Sequence, residues 1–395
     1  MPKCVGVGTD CSGMEAPIQA MKNLGVNFNH RFSCDIDRHA RATIEANFPD
    51  SRMYEDVTAR DNAEAPHCDL YVAGFPCQPF SSEGLQQGFK DQRGRGKIFF
   101  FVRDYIATQR PRIFVLENVS GLKKMNKGEY LKAILKSLQQ LGEYNIHHEI
   151  LDTKQHGVPH SRPRIYIVGI RQDVDRGTFA FPEPIPRPSM ELFLDSRPKS
   201  SVVAAGLPPK RQGTAHRNVI SSIRTLTREG SNPLKEPYTI DCDSSDYRAK
   251  WMHDVSPCIT CSRRQGHWVT SRGRRQLLTE MMRLQGMNPC KFRQVVSDRQ
   301  LGKQLGNTMS VNVLERLLVR LLPAAGLATA GGLRDRWEDG SAVRALARTR
   351  DRGFARTLPP KLLRRIVRAG PPKRKASGST RAANGATKRK RTAAS

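Results

Sequence analysis

Apolar residues follow two alternating rhythms over the first 170 positions. Short apolar runs of strand length are separated by stretches in which hydrophobic residues recur every three or four positions, the order expected of a wound α/β sheet. "CVGVGTD" predicts a first strand and "APIQAMKNLG" a helix closed by Gly25. "FNHRFSCDID" and "RHARATIEANF" repeat the pair, and "DLYVA" predicts a further strand. "KIFFFVRDYIATQ" (helix), "RIFVLEN" (strand) and "YLKAILKSLQQLG" (helix, with Leu131, Ile134, Leu135, Leu138 and Leu141 on one face) follow. "NIHHEILDT" and "RIYIVGI" are two more strands. Sheets of this kind bind ligands at the carboxyl ends of their strands. Asp35, Asp56, Cys77 and the Glu117-Asn118 pair all close or follow a predicted strand.

From about Arg171 to Trp268 the pattern degrades into short segments rich in Pro, Ser and Arg, which predicts a smaller, loop-dominated basic region. Helical spacing returns in "TEMMRLQGM" and in "NVLERLLVRLL", the latter expected to pack back on the first domain. The expected organisation is a wound α/β domain over 1–170, a smaller loop-dominated region over 171–285, a return segment over 286–322 that completes the first domain, and a basic, disordered tail over 323–395.

Charge adds a partner. The 395 residues carry a formal net charge of +29. From Leu321 onward there are 19 Lys and Arg against 4 Asp and Glu, so the preceding body is itself at +14. A polyanion is the expected partner, nucleic acid before an anionic membrane surface. No stretch has the apolar length of a membrane span. The nine cysteines are scattered, and "MPKCVGVGTDCSG" lacks the continuous apolar run of a secretory leader, so reduced intracellular thiols are expected. Cys258 and Cys261 form a lone CxxC; with Cys242, His253 and His267 the nearest further ligands, no metal is expected. Two basic clusters, Lys373 to Lys375 and Lys388 to Arg391, have the spacing of a bipartite nuclear import signal, which predicts a nuclear protein.

The chemistry sits in ordered blocks: "GFPCQPFSSEG" at 74–84, "ENV" at 117–119, "QHGVPHSRPRIYIVG" at 155–169, "TEMMRLQG" at 279–286 and "GNTMSV" at 306–311. Their succession resembles the C5-cytosine-specific DNA methyltransferase family over roughly residues 4–320. The resemblance implies a Rossmann-like fold dependent on S-adenosylmethionine with a small inserted target-recognition domain, acting on double-stranded DNA. The reaction itself explains the residue types. C5 of cytosine is too weak a nucleophile to attack a sulfonium methyl until a nucleophile has added at C6, and a thiolate adds and leaves well. Cys77 suits that role, and Glu117 suits a carboxyl stabilising the charge at N3.

The resemblance further implies that Arg164 touches the cytosine O2, that Arg162 supports the site, that Asn118 and Pro76 shape the loop, and that Asn307 braces the catalytic against the recognition domain. The target base must leave the helix, and the basic, glycine-rich segment after Cys77 is suited to close over it. The methyl donor's place follows from the strand ends: Asp10, Cys11, Ser12 and Gly13 after the first, Asp35 and Ile36 after the second, Asp56 and Val57 after the third, with Asn307 nearby. Acids at strand ends also cap helices. This chain departs from the family where Cys11 replaces an aromatic and Glu15 and Ala16 replace glycines. A transfer-RNA cytosine methyltransferase of the same family and an inactive DNA-binding homologue are the alternatives.

Overall fold

The computed structural model describes residues 4–76, 97–197, 206–245 and 250–355. Cys77 and both basic clusters of the tail therefore lie outside the described residues.

The first part follows the predicted alternation: β1 (Val5–Asp10), α1 (Ala16–Leu24), β2 (Phe28–Cys34), α2 (Arg38–Asn47), β3 (Arg52–Tyr54), β4 (Leu70–Ala73), α3 (Ile98–Gln109), β5 (Ile113–Val119), α4 (Glu129–Gln139), β6 (Tyr144–Asp152) and β7 (Pro163–Arg171). These strands form one sheet in the order β3-β2-β1-β4-β5-β7-β6. The first five are mutually parallel, and β7 runs antiparallel between β5 and β6. Strand order reverses at β1, whose neighbours are β2 on one side and β4 on the other; the crevice beyond their carboxyl ends is where such sheets take ligands. Every residue of β1 is buried, as in a strand covered on both faces. Gly8 is required there by packing, because a Cβ would stand 2.2 Å from the Phe32 ring.

The region after β7 is better ordered than its sequence predicts. It contains a 16-residue helix, α5 (Gly213–Arg228), and a small antiparallel sheet of order β11-β10-β8-β9, built from β8 (Tyr238–Ile240), β9 (Trp251–His253), β10 (Trp268–Val269) and β11 (Arg274–Arg275). Ala215, Val219, Ile240, Cys242 and Trp268 form its core. So few apolar residues sit among the Ser, Thr and Arg of "GTAHRNVISSIRTLTR" that the helix period is diluted. Buried Asn218 compensates, donating to the carbonyls of Cys242 and Ser244 at 2.9 and 2.8 Å.

α6 (Leu278–Arg283), α7 (Asp298–Asn307) and α8 (Val311–Ala324) return the chain to the first sheet, α8 packing along α1. The expected disorder from 323 is corrected. The chain remains ordered to Ala355 and includes α9 (Ser341–Ala347). One tryptophan anchors this Arg-rich stretch: Trp337 is 3 % exposed, and its Nε1 donates to Glu315 of α8 at 3.1 Å. Burial of so large a ring outweighs the polar composition around it.

Candidate active site

The turn after β1 is built from left-handed backbone. Cys11, Gly13 and Glu15 have φ of 52°, 56° and 54°. Glycine adopts this conformation freely, whereas Cys11 and Glu15 do so at a steric cost of about 1 kcal/mol or more each. Side-chain bonds supply the compensation. The buried Glu15 Oε1 accepts from the hydroxyls of Thr9 and Ser33, both at 2.6 Å, with His30 Nε2 at 3.5 Å. Ser12 Oγ accepts from the Cys34 amide at 3.0 Å, and Asp35 accepts from the amides of Gly13 and Asp37 at 2.8 and 2.9 Å. Glu15 thus stabilises a turn that the family builds from glycine.

Thr9, Cys11, Ser12, Gly13, Gly74 and Asn307 line a narrow cavity at this point, with Met309 closing it. It holds about 20 Å³, room for a small terminal group and not for a nucleoside. A nucleoside would instead lie over the open strand ends, where Ile36 stands 77 % exposed beside Asp35. An exposed aliphatic face beside a carboxylate suits an adenosine group, so the residues present fit the methyl donor. A Cβ on Gly74 would fall 2.9 Å from Met309 Cε and narrow the cavity further.

Two of the predicted donor contacts are turned elsewhere. The Asp10 carboxylate is buried in a bidentate pair with Arg60, 2.7 Å to each oxygen, and also accepts from the Tyr71 hydroxyl. Only the Asp10 backbone is left to line the cavity. Asp56 caps its own turn, accepting from the Thr58 amide and hydroxyl at 2.8 Å each, and Val57 is buried behind it.

On the other side of the crevice, Glu117 and Asn118 end β5 beside the chain that enters the Cys77 loop. Asn118 Nδ2 donates to the Phe75 carbonyl at 3.3 Å, one residue before Pro76. Glu117 is buried, and the position a Gly74 Cβ would take lies 3.9 Å from its Oε2. Its Oε1 lies 3.2 Å from Arg164 Nε without being aligned for a hydrogen bond. Burial pushes the Glu117 carboxyl above its ordinary value against the opposing pull of Arg164 and Arg162. Its protonated form therefore persists to higher pH.

Among the described residues, Arg162 makes no ion pair at the base side. Fully buried, it donates to the carbonyls of Ile259, Gly306 and Thr308 at 2.8, 3.2 and 2.6 Å, fastening the recognition region and the "GNT" segment to β7. Sequence reasoning missed two partners. Cys258 Sγ lies 3.7 Å from guanidinium nitrogens of both Arg162 and Arg164. His160, inside the "GVPHSR" block, accepts from the Ile259 amide and bonds the Leu284 carbonyl. Its burial and the neighbouring arginines hold it well below the usual histidine range and so neutral. Of the CxxC pair, Cys258 makes arginine contacts and Cys261 is exposed, and among the described residues no cluster of His, Cys, Asp and Glu is arranged to hold a metal.

Comparison with known proteins agrees with this geometry. The family model for C-5 cytosine-specific DNA methylase matches residues 10–322. Among curated proteins, the chain is 33 % identical over 292 residues to Type II methyltransferase M.NgoBI of Neisseria gonorrhoeae, covering 72 % of this chain and 83 % of that one. It is 32 % identical over 322 residues to Type II methyltransferase M.HpaII of Haemophilus parainfluenzae, covering 78 % and 86 %. The solved structure of Entamoeba histolytica methyltransferase EhMeth shares the fold, with a TM-score of 0.57 at 18 % identity over 81 % of this chain and 98 % of that one. The chain belongs to the C-5 cytosine-specific DNA methylase family, S-adenosylmethionine-dependent enzymes that methylate C5 of cytosine in DNA.

Proposed function

We propose that this enzyme acts on a flipped-out cytosine of duplex DNA with the two faces of the crevice in separate roles. The observation that carries the reading is the convergence of Glu117 and Arg164 at 3.2 Å, both largely buried, beside the strand end that leads into Cys77. The Cys77 thiolate adds to C6 of the base, and the electron pair shifts toward C5. Glu117, whose carboxyl burial pushes above its ordinary value, donates to N3 in its protonated form and stabilises the charge that develops there. Arg164 donates to O2. Arg162 positions Arg164 and the recognition region without touching the base, and Asn118 fixes the Phe75-Pro76 approach. Bound S-adenosylmethionine supplies an electrophilic methyl group. Loss of the C5 proton to a base then expels the Cys77 thiolate and restores the aromatic ring.

Cys11, Ser12, Gly13, Asp35, Ile36 and Asn307 hold the donor in this reading, with Asp10 and Asp56 supporting their turns. The region over 171–285 reads a short target. The finer reading of a nuclear enzyme writing an epigenetic mark rests on the two tail clusters alone, and the bacterial origin of the relatives favours action on DNA in the cytoplasm. Localisation of a fluorescent fusion with and without residues 373–391 separates the two.

The direct test is transfer of labelled methyl by wild type and Cys77→Ser to duplex DNA and transfer RNA in parallel, with the product bases identified by mass spectrometry. Cysteine-dependent 5-methylcytosine in DNA is expected. Label confined to RNA, or transfer that survives Cys77→Ser, overturns the reading.

A further inference from the structure

Directly beyond the base face runs a loop that the catalytic reading leaves unused. β5 ends at Val119, which stands opposite Arg164 of β7, and residues 120–128 connect it to the start of α4. The loop therefore leaves the same sheet edge as Glu117. Ser120–Lys123 form a turn of 3-10 helix, after which Asn126, Lys127 and Gly128 take left-handed backbone, with φ of 46°, 54° and 86°. Asn126 and Lys127 hold that conformation at a cost of about 1 kcal/mol or more each. Backbone strained in this way persists where its surroundings over-determine it, and it gathers at places where ligands are held. The surroundings here are apolar: Leu122 is fully buried in the core that includes Ile134, Leu138 and Ile165, and Met125 packs against the same core.

What the anchored loop presents is charge. Lys123, Lys124 and Lys127 are exposed, and their ammonium groups make no ion pair or hydrogen bond among the described residues. Residues 120–136 hold five lysines and a single acid, Glu129, which pairs with Lys132 at 3.0 Å. The acids at the ends of β5 and β6 on this edge are matched as well, Glu117 by Arg164 at 3.2 Å and Asp152 by Lys154 at 3.4 Å. Three like charges thus stand together beside the base face with no carboxylate of the loop or of these strand ends left to neutralise them. A polyanion is the partner that fits.

We propose that Lys123, Lys124 and Lys127 grip the phosphodiester backbone of the substrate DNA beside the flipped-out base. The proposal rests on the DNA-methylating activity and deepens it by naming a surface that holds the duplex against the base face. Glu117 and Lys123 are six positions apart. Three extended steps of about 3.3 Å and three 3-10 steps of about 2.0 Å separate their backbones by at most about 16 Å. At about 3.4 Å per nucleotide of each strand, the gripped phosphates lie within about five positions of the target.

The test uses the intact protein and reads DNA binding without turnover. Lys123→Gln/Lys124→Gln/Lys127→Gln and Lys123→Arg/Lys124→Arg/Lys127→Arg are compared with wild type. The first measurement is the slope of log K against log salt on a 30-base-pair duplex of mixed sequence, which requires no knowledge of the target. The glutamine variant should lose about 0.9 from the slope per phosphate contact, about 2.7 for all three, and should bind at least tenfold more weakly at 0.15 M salt. The arginine variant should keep the wild-type slope. Thermal unfolding and S-adenosylmethionine binding should be the same in all three proteins.

The second measurement places the contact. In a duplex carrying the site that methyl transfer labels, each phosphate within five positions of the cytosine is replaced in turn by an uncharged methylphosphonate. Wild type should lose affinity at particular positions, and the glutamine variant should be indifferent to those same replacements. An unaltered salt slope overturns the proposal. So does a loss that arginine fails to restore, or equal sensitivity of wild type and variant to every methylphosphonate. A wild-type chain that methylates no DNA would remove the catalytic reading, and the slope would still decide this one.

Discussion

The two faces of the catalytic crevice are braced in opposite ways. On the donor face, Glu15 ties together Thr9, Ser33 and His30, all within the first two strands and the turn between them. On the base face, Arg162 gathers carbonyls from Ile259, Gly306 and Thr308, about 100 to 150 positions further along the chain. The donor face is thus largely self-contained, while the base face exists only when the recognition and return segments have docked. That difference explains how the first block can drift from its glycines without losing its turn: a nearby carboxylate replaces backbone freedom. No neighbouring residue can replace the distant partners of Arg162.

Four perturbations would break or sharpen this contrast. The largest effect is expected from Glu117→Gln, which should lower kcat about 10²- to 10⁴-fold while leaving donor binding intact. Because burial raises the Glu117 pKa, wild-type activity should decline as pH rises through that raised value, and the variant's residual activity should lose this limb. Arg162→Ala should come next, leaving three carbonyls without their donor and costing about 3 kcal/mol in denaturant unfolding. It should weaken DNA binding more than donor binding.

Glu315→Gln probes the donor face's link to the return segment. Glu315 accepts from Asn23 of α1 and from Arg336 and Trp337, and burial pushes its pKa up to about 7. A carboxyl raised in the folded state contributes stability below its unfolded pKa of about 4.3 and loses it as pH rises to about 7. Fixed as an amide, the position should narrow the wild-type difference in unfolding free energy between pH 5 and pH 8 by roughly 2 kcal/mol. The smallest effect is expected at Glu15. Glu15→Ala keeps the left-handed strain and loses the bonds, so donor affinity measured by calorimetry should fall about tenfold, or about 1.4 kcal/mol. Glu15→Gly should recover part of it by relieving that strain. Equal losses from both would show that the carboxylate, and not the backbone, sets the turn.

Much of the sheet and of the base face was readable from the sequence, for physical reasons. Strands buried on both faces announce themselves as apolar runs, and Glu117 and Arg164 lie in blocks whose spacing is fixed by the register between β5 and β7. What stayed hidden depended on partners far away in the chain. Asp10 reads as a strand-end acid until Arg60 and Tyr71 are seen to consume its carboxylate. α5 hides because its small core needs only a thin apolar stripe. Residues 323–355 read as low complexity because their anchors are few and scattered: the Trp337 ring, Leu327 and Leu346 in the core, and the Asp335 pair with Arg316.

The donor cavity also imposes an order in time. Gly74 lines one wall and Met309 another, 235 positions later in the chain, so the pocket cannot close until that later segment has been made. At about 5–20 residues per second, the wait between those two walls is roughly 10 to 50 s. During that interval the growing polypeptide has no finished place for its methyl donor. Each new molecule therefore starts without a finished donor cavity and gains one only after Met309 has been made, so a copy truncated before α7 should not bind its methyl donor.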